Sequence, residues 1–440
     1  MAERQTTSRR ELLSRACGAG AALAIPMFIP ARALGRDGNT APSNRINMAS
    51  IGMGFAWNMF LREDVQYVGV CDVQRQRREA AKTLVEAQQG KGTCAAVNDF
   101  RELLARPDVD AVYIATPDHW HAPIVVAAAR AGKHVYCQKP LTRTIAEGQA
   151  VVDAVRRHGV VFQHGTQQRH DERMLFGCEL VRNGYIGELK HVKIGSPSGA
   201  TCPPQPPQPV PEGLDWNMWL GPAPWAPFTP LRIASHPWYH ISDYSLGYIA
   251  GWGVHHCDSA MQGSGLDDYT GRVEVDAKGI FPADGLFDNP HRWQMRFAFE
   301  GGPTWHWTDC AGDGFGSPAS SDWPQHRMGV TFEGTEGQVF IWRNQVEAEP
   351  KHLLQVRIGP RDKVRLRETL PGDFIDCVRK GRRTCAPVEV AHRATTLCSI
   401  AAIGMQLRRP LTWEGKREQF VNDDEANRLR ARHARGGWGV

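Results

Sequence analysis

The stretch that decides the fold is Arg45-Ile46-Asn47-Met48-Ala49-Ser50-Ile51-Gly52-Met53-Gly54. Up to Ile51 its residues alternate as in a strand, and a Gly-x-Gly turn follows at once. A turn without side chains at a strand end lets backbone N–H groups close on a phosphate at a helix N-terminus. A second apolar run, Val65 to Cys71, ends at Asp72, twenty residues beyond Gly52. A carboxylate there can accept hydrogen bonds from both hydroxyls of an adenosine ribose, and it would repel a 2′-phosphate. Asp72 therefore favours NAD, while Arg75 nearby leaves NADP open. The third glycine of the fingerprint is absent, and Trp57 stands in its place.

Further along, helical patterns cover about Gln74 to Gln89 and Asp99 to Ala105. The strand Ala111-Val112-Tyr113-Ile114-Ala115 is ended by Thr116-Pro117-Asp118-His119-Trp120-His121. A helix from Ala122 to Ala131 leads through Gly132 into the strand His134-Val135-Tyr136-Cys137, and Gln138-Lys139-Pro140-Leu141 follows. Strands and helices alternating at this spacing predict a Rossmann-type α/β domain, a doubly wound parallel sheet that takes its ligand at the carboxyl ends of the strands. Later strand patterns, Leu189 to Ile194, Trp293 to Phe299, Gly329 to Glu333 and Gln338 to Trp342, predict a second sheet.

A chain of 440 residues with 42% hydrophobic and 22% charged side chains can bury two or three cores. The formal charge of +5 is small and partly carried by N-terminal arginines, so no basic stripe for nucleic acid is expected. Ser8-Arg9-Arg10-Glu11-Leu12-Leu13 precedes a moderately apolar run from Ala16 to Ile29, and Ala31-Arg32-Ala33 offers a small-x-small cleavage pattern. This is similar to a twin-arginine signal and predicts export to the periplasm through the Tat machinery, with no membrane span left after processing. Eleven cysteines lie scattered without close spacing, so neither a metal site nor a dense disulfide framework is expected.

The chain resembles the Gfo/Idh/MocA oxidoreductases. The resemblance rests on Gly52-Met53-Gly54, Cys71-Asp72, Ala115 to His121, Lys133 to Leu141, Gly165-Thr166-Gln167-Gln168-Arg169 and Gly253-Val254-His255-His256-Cys257-Asp258. It continues through Arg409-Pro410-Leu411-Thr412-Trp413 and Asp423-Asp424-Glu425-Ala426-Asn427. It implies α/β plus α+β architecture, with an open, mostly antiparallel sheet beside the dinucleotide domain and a homo-oligomer, dimer or tetramer, formed on that sheet. The expected divisions are a signal at 1–33, a linker at 34–44, the dinucleotide domain at 45–165, the substrate and oligomerisation domain at 166–408 and a tail at 409–440.

By this resemblance Gly52, Gly54, Phe55, Asp72, Thr116, Pro117, His119, His121, Gln138, Lys139 and Gln167 are expected at the cofactor. Lys139, Arg169, Trp238, Tyr244, His255 and His256 are expected at the substrate. Lys139 would hydrogen-bond the substrate hydroxyl and lower its pKa, and His255 would transfer the proton. Two departures stand out: Gln138 replaces the family's glutamate before the lysine, and Gly251 replaces the aspartate four residues before the histidine. Loss of both carboxylates should lower the pKa of Lys139. Asp243, Tyr244 and His256 are candidates for the missing partner, and Asp258 is expected either to support the site from behind the residues that touch substrate or to be structural.

An insert at 196–248 is rich in proline and tryptophan, including Trp216, Trp219, Trp225 and Trp238. It reads either as a surface wrap or as a lid whose indoles stack on a sugar ring. The leading expectation is an oxidoreductase passing hydride between a secondary alcohol of a sugar, cyclitol or glycoside and tightly held NAD. Because the periplasm has no pool of soluble dinucleotide, a redox-neutral glycosidase, lyase or epimerase cycle using transient oxidation is the alternative. A sugar-binding protein without catalysis is the third.

Overall fold

The computed structural model describes residue 41 and residues 44–310 and 327–440. The expected signal and nearly all of the linker lie outside the described residues. Residues 41, 44–46 and 62–66 belong to one compact unit, in which Arg45 Nη1 donates to Gln66 Oε1 at 3.2 Å, and the chain from Asn47 otherwise forms a second.

Strands β1 (Ile46–Ile51), β2 (Val65–Cys71), β3 (Ala95–Val97), β4 (Ala111–Ile114), β5 (His134–Cys137) and β6 (Phe162–His164) form a parallel sheet in the order β3-β2-β1-β4-β5-β6. The order reverses at β1, and the crevice beyond the strand ends there is where a dinucleotide binds in this architecture. Helices α1 (Arg75–Gln89), α2 (Phe100–Leu104), α3 (His121–Arg130) and α4 (Ile145–His158) supply the crossovers. Thr144 caps α4 in a full capping box with Glu147, and Gly159 ends it in the left-handed conformation.

The expected helix after the Gly-x-Gly turn is not formed. Residues 52–64 make turns only. Thirteen residues must leave β1 and return to β2, and the Trp57 carbonyl accepts from Ser50 Oγ at 2.9 Å and Tyr67 Oη at 3.0 Å rather than from a helical N–H. The phosphate-facing element is therefore a braced turn without a helix dipole behind it.

The second sheet has the order β13-β12-β11-β7-β10-β9-β8-β14-β15. Its strands are β7 (Leu189–Pro197), β8 (Arg272–Ile280), β9 (Arg292–Phe299), β10 (Thr304–Cys310), β11 (Gly329–Gly334), β12 (Gln338–Trp342), β13 (Gln345–Glu349), β14 (Leu411–Glu414) and β15 (Gln419–Phe420). All its pairings are antiparallel except β7 with β10. Along β8 the chain alternates buried Val273, Val275 and Ala277 with exposed Glu274, Asp276 and Lys278, so one face is packed and the other polar. Helices α5 (Glu172–Arg182), α6 (Gly253–Ser264) and α7 (Val388–Leu407) cover the packed face. α7 is apolar nearly all round because it serves two cores: Val388 and Ala391 pack with the parallel sheet, and Ala394, Cys398 and Ala401 with the second.

The insert folds on a core of its own. Trp216 stacks on Trp219 at 5.0 Å between ring centroids, with Phe228, Ile241 and Tyr244 around them. Its 213–215 segment is hydrogen-bonded to the chain after β2, Arg75 N–H to Gly213 O at 2.8 Å and Asp215 N–H to Val73 O at 3.0 Å. The cysteines from Cys71 onward are free thiols. Among the described residues no helix is long and apolar enough to cross a membrane.

Candidate active site

A cavity of about 510 Å³ opens at the carboxyl ends of β1, β2, β4 and β5, lined in turn by Gly52 to Phe55, Asp72, Thr116 with Pro117, and Gln138 with Lys139. That volume suits a bound small molecule. Gly52 has φ +81°, and a Cβ on it would stand 2.7 Å from Thr116 N, so only glycine lets the first turn lie against the end of β4. Phe55 is exposed at the rim, and its carbonyl accepts from Tyr113 Oη at 3.0 Å.

Asp72 is held by two N–H groups, Met53 to Oδ2 at 2.9 Å and Gln74 to Oδ1 at 2.8 Å. Burial raises its pKa, and these two bonds with Arg77 and Arg78 oppose that. Arg77 lines the cavity, whereas Arg75, thought open to a 2′-phosphate, is exposed and paired with Glu212 at 2.8 Å. Thr116 Oγ1 is buried at the cavity wall without a hydrogen-bond partner among the described residues. A Gly-x-Gly turn that no side chain fills, an unpartnered hydroxyl and a fixed carboxylate fit a dinucleotide.

At the opposite end, Lys139 Nζ donates to Gly251 O at 2.6 Å and lies 3.3 Å from Tyr239 Oη. Burial lowers its pKa, Asp118 pulls it back up, and Arg343 lowers it further. Asp118, the first residue after Pro117, is itself raised by burial; its Oδ2 accepts from Ser245 Oγ at 2.7 Å and its Oδ1 has no partner among the described residues. His255, in the first turn of α6, lines the same cavity. Burial, then the nearby charges of Lys139 and Arg343, hold its pKa well below 6.5, so its ring is neutral at pH 7.

The two departures from the family pattern are resolved structurally. Gln138 donates through Nε2 to Tyr113 Oη at 2.6 Å, and Tyr113 in turn holds the Phe55 carbonyl, so this amide braces the glycine turn. At Gly251 the backbone carbonyl, not a side chain, receives Lys139. The carboxylate that acts on Lys139 is Asp118, and the hydroxyl beside it belongs to Tyr239; neither was singled out from sequence. Tyr239 sits between Trp238 and a histidine in an otherwise irregular insert, and no periodicity marks it.

Several expected site residues are elsewhere. His119 is buried with Nε2 3.1 Å from Trp219 O, and it does not line the cavity. His121 packs behind the wall, Nδ1 2.7 Å from Pro140 O and Nε2 3.0 Å from Thr116 O; it ties the β4 and β5 strand ends together. Arg169 is fully buried against Asp258 and Asp267, each at 2.7 Å, so its charge is already spent on structure. Asp258 lies behind the site as the buried ion-pair partner of Arg169. Tyr244 lies in the insert core and accepts from Arg232 Nη1 at 2.7 Å. His256 points away toward Trp342, 5.0 Å between centroids, and Asp243 does not line the cavity either. Gln167 and Trp238 do line it.

Residues 46–166 match the description "Oxidoreductase family, NAD-binding Rossmann fold", and residues 199–286 and 329–440 match the corresponding "Oxidoreductase family, C-terminal alpha/beta domain". The chain belongs to the Gfo/Idh/MocA oxidoreductase family. It is 30% identical over 158 residues to the Myo-inositol 2-dehydrogenase of Thermotoga maritima, covering 36% of this chain and 46% of that protein. It is 32% identical over 134 residues to the Alpha-N-acetylgalactosaminidase of Shewanella oneidensis, covering 29% of each. The chain thus spans less than half the length of these curated relatives. A solved structure of levoglucosan dehydrogenase with NADH and levoglucosan shares the fold, with TM-score 0.59 at 18% identity over 84% of this chain and 99% of that one.

Proposed function

We propose that this family member is an NAD-dependent oxidoreductase acting on a secondary alcohol of a sugar, cyclitol or glycoside. The observation that carries the reading is that Lys139 and His255 share one cavity with the Gly52 turn and the fixed Asp72 carboxylate. A nicotinamide held there supplies the hydride acceptor. Lys139, steadied by Gly251 O and Tyr239, presents an N–H to the substrate hydroxyl and lowers its pKa. His255, neutral at pH 7, receives the proton. Trp238 offers an aromatic face to the sugar ring. Supporting relatives include dehydrogenases of inositol and of levoglucosan.

The twin-arginine pattern supports periplasmic work, where the cofactor would stay bound between turnovers, and the exposed polar face of the second sheet suits a homo-oligomer. Purified protein mixed with a sugar panel and NAD should develop the near-ultraviolet absorbance of reduced nicotinamide. A Lys139→Met variant should not. If no panel member produces it and acid-denatured protein releases no nicotinamide, a binding protein without chemistry replaces this reading.

A second reading, the redox-neutral glycosidase, is favoured by the relative named Alpha-N-acetylgalactosaminidase. Repeated sugar release from glycosides without added NAD would establish it; a single turnover that leaves the cofactor reduced would establish the dehydrogenase.

A further inference from the structure

Among the described residues no carboxylate pairs with Arg343, and its place in the cavity gives the cation a use. Arg343 stands at the tip of the β12–β13 hairpin and lines the cavity that holds Lys139 and His255. Its guanidinium lies over Trp252 at 4.7 Å and over Trp342 at 5.5 Å, so two indoles set its plane. The tip itself is anchored to α5: Asn344 N–H donates to Asp171 Oδ2 at 2.6 Å, and Arg173 Nη1 donates to Asn344 O at 3.0 Å. Two other arginines of this region, Arg327 and Arg292, are matched with carboxylates, Glu347 and Asp309. Among the described residues Arg343 meets none.

Among the described residues the cavity lining holds a single carboxylate, Asp72, which two backbone N–H groups occupy at the ribose end. Asp118 answers Lys139 from behind the wall. Among the described residues the reacting end is therefore left with a cation that no carboxylate answers, oriented by aromatic rings, with Nε 3.3 Å from the Gln168 amide oxygen, and held at the tip of an anchored hairpin. A planar guanidinium set in this way is suited to a carboxylate, which it can take in two parallel hydrogen bonds.

Resting on the oxidoreductase reading above, we propose that the substrate is an acidic sugar, a hexuronate or its glycoside, whose carboxylate is received by Arg343 while its reacting hydroxyl meets Lys139 and His255. The ring then lies between the Trp238 and Trp252 side of the cavity and the cofactor end. Arg343 acts as the residue that separates acidic from neutral sugars.

The test uses the full chain loaded with NAD and three matched probes: a methyl hexoside, the corresponding methyl hexuronoside and the hexose 6-phosphate. Both kcat/KM and direct binding, read by quenching of tryptophan fluorescence, are measured. Wild type should prefer the hexuronoside over the neutral sugar by roughly 10- to 100-fold, the range expected for one charge-assisted pair. Arg343→Gln should collapse that ratio toward one, chiefly through KM, and Arg343→Lys should keep part of it.

Equal use of neutral and acidic sugars by wild type, or an unchanged ratio in Arg343→Gln, overturns the proposal. A preference for the 6-phosphate overturns the carboxylate assignment. Arg343-dependent hexuronoside binding without any turnover would fail the oxidoreductase reading and leave the acidic-sugar site standing. Turnover of neutral sugars with no hexuronoside binding would do the reverse.

Discussion

The ring of Tyr239 fills the space that a side chain at position 251 would need: a Cβ built on Gly251 would lie 2.6 Å from Tyr239 Cδ1. The same two residues hold Lys139, one by its carbonyl and one by its hydroxyl. This chain has thus exchanged a carboxylate at 251 for an aromatic ring from the insert. Gly251→Asp should not restore the family arrangement. It should instead push Tyr239 aside, cost about 1–3 kcal/mol of stability through overpacking, and lower kcat. Adding Tyr239→Ala should recover part of the loss, because the ring that blocks the new side chain is gone. A double variant no better than Gly251→Asp alone, by thermal midpoint and kcat, would refute the steric account.

Asp118 is buried behind the cavity wall at which Lys139 stands. Burial holds the lysine pKa down at about 8 even with the carboxylate's charge raising it. Replacing Asp118 by Asn removes that charge while keeping an oxygen for Ser245. The pH limb of kcat/KM that reports Lys139 should therefore move to lower pH, whether the reaction needs the lysine charged or neutral. A profile that stays in place or moves upward would show that Asp118 does not act on Lys139.

The parallel sheet was legible because its signals are local: alternation in β1, Gly52 at its end, Asp72 after β2 and the strand ends at Thr116 and Lys139. The missing helix after Gly54 was not, because the fingerprint glycines look the same whether a helix or a turn follows; the shortness of the 52–64 connection was the available clue. Lys139 and His255 were placed by motif, and both line the cavity. Asp118 and Tyr239 become partners of Lys139 only through contacts across long sequence separations, and Tyr239 lies in an insert without periodicity. His119, His121, His256 and Arg169 carry reactive groups in motif positions, yet the fold turns each of them inward. The motif fixes the element; burial decides the use.

Those inward histidines make an acid-sensitive fold. Burial holds His119, His164 and His256 at about 3 and His121 at about 4, with His255 also well below 6.5. Below pH 6.5 the unfolded chain takes up these protons first, so stability is complete above that value and falls as pH drops. The slope is about 1.4 kcal/mol per pH unit for each fully titrating histidine. Burial also lowers His134, His170, His240, His291 and His306, which makes ten such histidines among the described residues. Asp118, raised by burial to about 7, and Asp72, Asp243, Asp258 and Asp309, also raised, contribute with the opposite sign but are five groups against ten. Thermal midpoints should thus fall steeply between pH 6.5 and 5. His164→Met, which removes a ring with neither nitrogen hydrogen-bonded among the described residues, should flatten that slope, and an unchanged slope would count against the account.

Asp72 should set the cofactor preference. Its carboxylate is fixed toward the cavity, and Arg77 lines the wall nearby. Wild type should prefer NAD, and Asp72→Ser should improve relative affinity for NADP by about tenfold or more, since one repulsive charge is removed and a guanidinium remains. Cofactor titrations of both proteins would show it; an NADP preference already present in wild type would contradict the role given to Asp72.

Retention of the cofactor should depend on how the insert is tied down at the ribose end. Asp215 Oδ2 accepts from Asn98 Nδ2 at 2.9 Å, beside the backbone bonds from Arg75 to Gly213 and from Asp215 to Val73, and Asn98 lines the cavity. From this tether the insert runs on to Trp219 and Trp238 at the cavity wall. Asp215→Ala cuts the side-chain tie and also removes the cap on Met218 N–H, which costs about 1 kcal/mol locally. The variant should fold, bind NAD and lose it on dilution several-fold faster than wild type, measured as nicotinamide recovered by acid after gel filtration. Wild type that sheds its cofactor as quickly as the variant would mean that the insert covers the site without holding what lies beneath it.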